Sequence, residues 1–409
     1  MKARTKFEKW VAASNEKLTA ISSKSVEWAV RNVLEHIAFR TSCQKCTCSD
    51  CGKRFGYKGK GKFVRCPHCG SKLEVKDTLK RKGETSSYFS TLETMDNLQV
   101  QRVFLLKAIY RKGQPMYVWH MEVCRLWLNA QGQTALTSRR RTFGHYMDSF
   151  NWCSSIELRN MHDVHWVISE TLVYPRYSVL PELRRNGMKG RLPNCHPTKL
   201  MKALLSDHRI ETMMKAGDRK AVAYFIYHPF ELDRCWQSYK VATRHHYRPD
   251  DLGLWCDTIR LLEKCGRDIH CTKYICPLNL KAEHDRWMNK VTVMEEKRRN
   301  KEQMMKAKAQ EADFYKNKSC FFGIVICDND IEISVLDSLE AYQAEGKKMK
   351  HCVFKCEYYA KSDSIILSAH DRQGNRIETV EFSLSQGKVI QSRGECNSNT
   401  ENHLSLIHI

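Results

Sequence analysis

The chain has 409 residues, 42% hydrophobic and 10% aromatic, enough apolar mass for real cores, which excludes wholesale disorder. At roughly 150 residues per domain, this length suggests two to four units. Lys and Arg number 68 against 46 Asp and Glu, a formal net charge of +22. Such an excess points to a polyanionic partner, nucleic acid first, with charge retained for solubility as the alternative.

The longest apolar run, CFFGIVIC from Cys320 to Cys327, has eight residues against the ~20 that span a bilayer, so no membrane insertion is expected. The basic N-terminus lacks an apolar segment, so no signal peptide is expected. Without one, 19 Cys read as reduced thiols and metal ligands, and the protein is expected to be cytoplasmic.

Residues 1–42 are expected to form N-terminal helices, because Phe7, Trp10, Val11, Leu18, Ile21, Val26, Val30, Val33, Leu34 and Ile37 recur at helical spacing. Residues 43–76 shift in composition and form a cysteine-rich module. Over 86–150 the period changes. Val100, Arg102, Phe104 and Leu106, then Met116, Val118, His120 and Glu122, lie in β-rich runs broken by Lys112-Gly113-Gln114 and by residues 129–132. An antiparallel meander is expected there, with a helix over 123–128 as the alternative.

Residues 155–318 read as a helical domain. Met161, Val164, Val167, Ile168 and Leu172 mark one helix, ended by Tyr174-Pro175; Thr198 opens a second over 199–205; Trp255, Ile259 and Leu262 mark a third. From 282 to 318 the residues are nearly all helix formers with charges around most of the surface, including Glu295, Glu296, Lys297, Arg298 and Arg299. A solvated spacer helix explains this better than a nucleic-acid-binding helix. Residues 320–403 alternate in runs at 321–326, 331–335, 364–369, 378–384 and 389–392, with one helix over about 338–345. The fold class expected is therefore α+β and multidomain: N-terminal helices, zinc ribbon, antiparallel β meander, central helical domain and a small C-terminal β-rich (α+β) domain.

Cys48-Ser-Asp-Cys51-Gly and Cys66-Pro-His-Cys69-Gly are two Cys-x-x-Cys turns separated by 14 residues. Each aims two sulfurs at one point, and two facing turns complete a tetrahedral S4 site suited to structural Zn2+. Four thiolates leave no open position for water. Cys43 and Cys46 offer a competing first pair, but Gly52 mirrors Gly70 whereas Thr47 follows Cys46. The hairpin between the turns carries Lys53, Arg54, Tyr57, Lys58, Lys60, Lys62, Phe63 and Arg65, cations interleaved with aromatics that suit phosphate contact and base stacking. Protein contact by the same ribbon is the competing explanation.

Arg139, Arg140 and Arg141 close the meander and are candidate phosphate clamps, or simply a basic strand end. Arg244, His245 and His246 with Cys265, Cys271 and Cys276 fit no standard metal spacing and read as core residues. In the C-terminal domain, His351 and Cys352 are adjacent, and on a strand they would point to opposite faces. Glu378, Glu381, Gln391 and Arg393 lie on strands that face one another if the chain turns at 385–387. With His351 they are the candidate catalytic residues, set against a cross-strand structural ion pair.

Met349-Lys-His-Cys352-Val-Phe-Lys-Cys-Glu-Tyr358, Ser364-Ile-Ile-Leu-Ser368, Ile377-Glu-Thr-Val-Glu381 and Gln391-Ser-Arg393-Gly394-Glu-Cys-Asn397 resemble the PcfJ-like family, which is named after a protein of a conjugative plasmid. Trp236, Tyr239, Arg244, Tyr247, Asp250, Trp255, Asp257, Asp268 and residues 276–285 resemble its helical part. The ribbon and the β segment after it are similar in placement, so the resemblance runs from about 40 to 400. It implies a setting on plasmids, integrated conjugative elements or phages, with a PcfK-like protein or relaxosome components as partners, and it carries over no catalytic residues. The family's last domain is expected to continue past Asn397, so residues 404–409 are expected to belong to a truncated reading frame. Together these readings describe a nucleic-acid-binding accessory protein of a mobile element, acting in conjugative transfer or replication, with DNA favoured over RNA. A nuclease- or primase-like enzyme with its site in the C-terminal domain, or a protein–protein adaptor of the transfer machinery, are the alternatives.

Overall fold

Thr5 opens the first helix with a capping box: its hydroxyl accepts the Glu8 N–H, and the Glu8 carboxylate accepts the Thr5 N–H. This helix, α1 (Lys6–Glu16), is followed by α2 (Ser23–Val33), capped by Ser22. A computed structural model of the chain describes residues 2–78, 80, 82–141, 150–160, 171–328 and 331–398. The chain divides into two units, 1–256 and 257–409, and the division falls inside the 155–318 segment expected as one helical domain.

Ile37, expected at the end of a helix, instead starts strand β1 (Ile37–Arg40). β1 is the middle of a five-stranded sheet with β2 (Lys45–Cys48), β3 (Arg54–Gly56), β4 (Phe63–Arg65) and β5 (Lys72–Asp77), in the order β3-β2-β1-β5-β4. It runs antiparallel to β2 and parallel to β5. A four-residue apolar strand cannot be told from the tail of a helix by periodicity alone, so the ribbon takes its central strand from residues expected to be helical.

The second sheet holds β6 (Lys82–Met95), β7 (Leu98–Arg111), β8 (Tyr117–Leu128), β9 (Thr134–Ser138), β10 (Glu157–Arg159) and β11 (Leu172–Val173), ordered β10-β9-β8-β7-β6-β11. Only β11 is parallel to its neighbour. Asp96 and Asn97 both have positive φ, as a two-residue hairpin between strands of right-handed twist requires, and Met95 pairs with Leu98 across it. Residues 123–128 are strand, which removes the helical alternative. The helix expected over 161–172 falls on 161–170, outside the described residues, and Leu172 belongs to β11.

Helices then follow: α3 (Pro181–Arg185), α4 (Pro197–Ser206), α5 (His208–Lys215), α6 (Arg219–Phe225), α7 (Pro229–Arg244) and α8 (Leu252–Lys264). Proline stands at the start of α3, α4 and α7, where its missing N–H costs nothing. In the second unit come α9 (Thr272–Ile275), α10 (Leu280–Ala309) and α11 (Glu311–Lys318). The single helix expected over 282–318 breaks at Gln310, and Ala307 and Phe314 on either side of the break are buried in one core with Leu339 and Tyr342. The last sheet orders β12 (Val325–Asp328), β13 (Ile331–Val335), β14 (Ser364–Asp371), β15 (Arg376–Ser383) and β16 (Lys388–Arg393) sequentially and antiparallel, with α12 (Leu339–Lys348) inserted after β13. Among the described residues no helix is long and apolar enough to cross a membrane.

β7 is buried on both faces over most of its length. Phe104, Leu106, Ala108 and Tyr110 pack with α2, while Val103 and Leu105 pack on the other face with Tyr88, Met121 and Phe150. Its buried charge is therefore paired. Arg102 Nε donates to Glu122 Oε1 (2.7 Å) and its Nη1 lies 3.2 Å from Glu93 Oε2, while Arg125 holds the same Glu122 (2.8 Å) and the Asn15 carbonyl (2.7 Å). Burial raises the Glu122 pKa, but the two guanidiniums outweigh it and leave the carboxyl below its usual value. A depressed carboxylate contributes stability above the unfolded-state pKa that is lost as pH falls through the folded one. Urea unfolding followed at neutral and acid pH should show stability falling below about pH 4.5. Glu122→Gln should cost roughly 3 kcal/mol at neutral pH and flatten that acid dependence.

Candidate functional site

Cys48 ends β2 and Cys66 follows β4, and each begins a turn of the same form. Cys48 N–H donates to Lys53 O (3.0 Å) and Gly52 N–H to Cys48 O (3.0 Å); Cys66 N–H donates to Ser71 O (2.9 Å) and Gly70 N–H to Cys66 O (2.9 Å). Gly52 and Gly70 both sit at positive φ, +73° and +75°, which closes these turns without a Cβ clash. At Gly52 a Cβ would also stand 2.5 Å from the Gln114 carbonyl carbon, in the turn between β7 and β8.

The Sγ atoms of Cys48, Cys51, Cys66 and Cys69 all lie within 4.8 Å of one another. Cys48–Cys69 and Cys51–Cys66 are each 3.7 Å apart. A tetrahedral ion with metal–sulfur bonds of about 2.3 Å needs sulfur–sulfur edges of about 3.8 Å, so the donors fit. Cys46 is fully buried in the ribbon core and Cys43 is exposed; neither joins the group. Burial pushes the Cys48 and Cys51 thiols up, whereas at Cys69 contacts with Ser71 outweigh burial and bring it down to about 7. Asp50, between the first two ligands, pairs with His36 Nδ1 (2.8 Å), and its carbonyl accepts the Met116 N–H (3.2 Å). The centre is thus tied to the β7–β8 turn twice.

On the ribbon surface, Lys53, Arg54, Lys58, Lys60, Lys62, Phe63 and Arg65 are exposed. Lys62 pairs with Glu74 at 3.3 Å; Lys53, Arg54, Lys58 and Lys60 have no carboxylate partner among the described residues. The Phe63 ring is half-exposed, with Lys72 Nζ 4.6 Å from its centroid. Tyr57 is placed differently from a free stacking platform. Its ring and hydroxyl lie where Cβ atoms on Gly59 and Gly61 would stand, at 2.6 and 2.9 Å, so it braces the loop. Arg139 is likewise engaged: its guanidinium donates to the carbonyls of Glu122, Trp152 and Ser154. Arg140 is exposed, and Arg141 bridges to Phe150.

In the second unit the chain does turn between β15 and β16 at 384–387, pairing Glu381 with Gln391 and Thr379 with Arg393. These four share one face. Glu378 lies on the other, where Ser392 Oγ donates to it (2.5 Å), so it does not join the candidates it was grouped with. A pocket of about 420 Å3 gathers His351, Tyr358, Thr379, Glu381, Gln391 and Arg393. Gln391 Nε2 donates to Glu381 Oε2 (2.7 Å) and to the Tyr358 hydroxyl (3.2 Å), and Ser364 and Lys361 hold Glu381 Oε1. Lys361 Nζ lies 3.3 Å from the Tyr358 ring centroid. Burial pulls the His351 pKa below its usual value, and its Nε2 is buried without a hydrogen-bond partner among the described residues.

His351 and Cys352 occupy a turn after α12, so the opposite-face argument for a strand does not apply; Cys352 lines the same pocket. Beneath it, the fully buried Glu345 accepts hydrogen bonds from Ser368 (2.8 Å), Arg376 (2.7 Å) and Thr379 (2.5 Å). Thr379, Tyr358 and Lys361 were missed in the sequence. The period of two along β15 was the available signal, since it puts Thr379, and not Glu378, beside Glu381.

Two architectural facts place the chain: an α+β fold of three sheets with a four-cysteine centre near the N-terminus, and a β-rich C-terminal region with a polar pocket. The family model described as PcfJ-like protein matches residues 254–407, a segment that contains that pocket. The match takes in the resemblance at 349–397 and leaves the ribbon, the meander and residues 236–251 outside it. No curated protein and no solved structure matches the chain. Elemental analysis of the purified protein should find one divalent metal ion per chain. Cys48→Ser and Cys69→Ser should each lose it, and Cys46→Ala should keep it.

Proposed function

We propose that this chain is a zinc-ribbon nucleic-acid-binding accessory protein of a mobile genetic element, acting in conjugative transfer or replication. The carrying observation is the ribbon surface, where Lys53, Arg54, Lys58 and Lys60 have no carboxylate partner among the described residues and sit beside the half-exposed Phe63. Cations left without acidic partners release counterions when phosphates replace water around them, and an exposed ring offers a base somewhere to stack. Zinc suits the four thiolates and would be structural, since it leaves no position for a substrate. The mobile-element setting, and a PcfK-like protein or relaxosome components as partners, rest on the PcfJ-like resemblance of the C-terminal segment. DNA is favoured over RNA for the same reason. Fluorescence anisotropy on the metal-loaded protein should show the triple variant Lys58→Ala, Lys60→Ala, Lys62→Ala binding single-stranded DNA about tenfold more weakly. Its log–log salt slope should be shallower by about 2. Unchanged affinity and slope would remove the ribbon from the interface.

A second reading, a nucleic-acid-processing enzyme of nuclease or primase type, is favoured by the unpartnered buried Nε2 of His351. A histidine held below its usual pKa is neutral at pH 7, the form that accepts a proton. Glu381, Gln391 and Arg393 around it supply a carboxylate, an amide and a guanidinium. This reading predicts divalent-metal-dependent turnover of DNA that His351→Ala and Glu381→Gln abolish. Glu378→Gln, on the other face, should leave it. A wild-type protein without turnover would leave the binding role alone.

A further inference from the structure

A cavity of about 1470 Å3 in the first unit lies between the segment after β11 and helices α3, α4 and α6. Its walls carry Arg176, Arg184, Lys189, Arg191, Arg219 and Lys220, and among the described residues no acidic residue lines it. All six cations are exposed, and none pairs with a carboxylate among the described residues. Asp218, next to Arg219 and capping α6, is already committed: it accepts the Ala221 N–H (3.1 Å) and the Tyr239 hydroxyl (2.8 Å).

This wall is held in place. Gly187 and Gly190 have positive φ, which lets the 187–195 loop fold back after α3. The Tyr177 hydroxyl then donates to Gly190 O (2.7 Å), and Arg219 Nε to Arg191 O (2.6 Å). Arg219 and Lys220 lie side by side at the start of α6. Six like charges gathered around one concavity repel one another and focus a positive potential into it, and a polyanion relieves that repulsion. The apolar part of the lining differs from these cations: Leu172 and Pro175 are exposed and Tyr174 is half-buried, over a buried base of Val179, Met188 and Leu200. A duplex would present only phosphates to such a lining, whereas a single strand can turn bases toward it while its phosphates meet the rim.

We propose that this cleft binds a single nucleic-acid strand, the six cations holding its phosphates and the apolar lining receiving its bases. The inference rests on the nucleic-acid-binding reading but assigns the principal contact to residues outside the ribbon. Two measurements on the metal-loaded full chain test it: anisotropy with labelled single-stranded DNA, RNA and duplex across salt, and acetylation footprinting of lysines by mass spectrometry. The cleft variant is Lys189→Ala, Arg191→Ala, Lys220→Ala. Their side chains make no hydrogen bonds or ion pairs among the described residues, so its thermal melt should match wild type. At about 100 mM salt it should bind single strands at least tenfold more weakly, with a slope shallower by about 2. In the wild type, bound single strand should protect Lys189 and Lys220 from acetylation. Cleft-variant binding equal to wild type, with both lysines unprotected, would overturn the cleft while a weakened ribbon variant upheld the nucleic-acid function. A weakened cleft variant beside an intact ribbon variant would uphold the cleft and move the function off the ribbon. Protection by duplex alone would overturn the single-strand assignment, and a wild type that binds none of the three would overturn both readings.

Discussion

Strand β7 is buried on both faces, and most of the first unit follows from that constraint. A strand in this position must be apolar or must bring a partner for every polar side chain, because an unpaired buried amide costs about 1–3 kcal/mol and an unpaired buried charge more. β7 carries Gln99, Gln101 and Arg102, all almost fully buried. Gln99 donates to the carbonyls of Glu93 and Ser178 and accepts the Leu180 N–H; Gln101 accepts from Thr198 at the start of α4. These bonds fix where α3 and α4 leave the sheet. Val179, Pro197 and Leu200, which line the basic cleft, are placed by the same contacts.

On the opposite face Arg102, Glu122 and Arg125 form a charge chain that ends on Asn15 at the end of α1. Two cations on one buried carboxylate leave none of these three charges without an opposite partner. A wrong register would strand one of these charges in the core. The C-terminal sheet solves a related problem with Glu345, buried on α12 and bonded to Ser368, Thr379 and Arg376. There the buried acid orders the strands that carry the polar pocket.

What was legible in the sequence follows what is local. The four ligands could be read because metal geometry becomes residue spacing, and Gly52 and Gly70 could be matched because both turns need positive φ. The alternating runs of the C-terminal sheet from 331 onward and the turns between them were legible for the same reason, whereas the run expected over 321–326 is strand only from Val325. Ile37 was not, because its strand is defined by β2 and β5, whose pairing is a tertiary fact. Glu378 and Glu381 are equally acidic and three residues apart, and only the register of β15 puts one in the pocket and the other behind the sheet. Tyr57 looks like a stacking residue until Gly59 and Gly61 are seen wrapped around it. The basic cleft was hidden most completely. Its cations come from 176–191 and from 219–220, none in a conspicuous run, and only folding brings them around one space.

The double attachment of the four-cysteine centre to the turn between β7 and β8 has a thermodynamic consequence. The ribbon's strands are three to six residues long, and three of the five residues in its small buried cluster are cysteines. An ion held by the four thiolates would close these strands, and the folded chain would bind it far better than the unfolded one. By mass action, a free ion at a thousand times its dissociation constant adds about 4 kcal/mol to whatever folds with it. Because Gly52 abuts Gln114 and Asp50 holds Met116, that contribution would reach beyond the ribbon to the hairpin of the central sheet. With the four thiolates loaded, the chemical potential of a dissolved metal ion would be a state variable of this protein's architecture, on the same footing as temperature and pH.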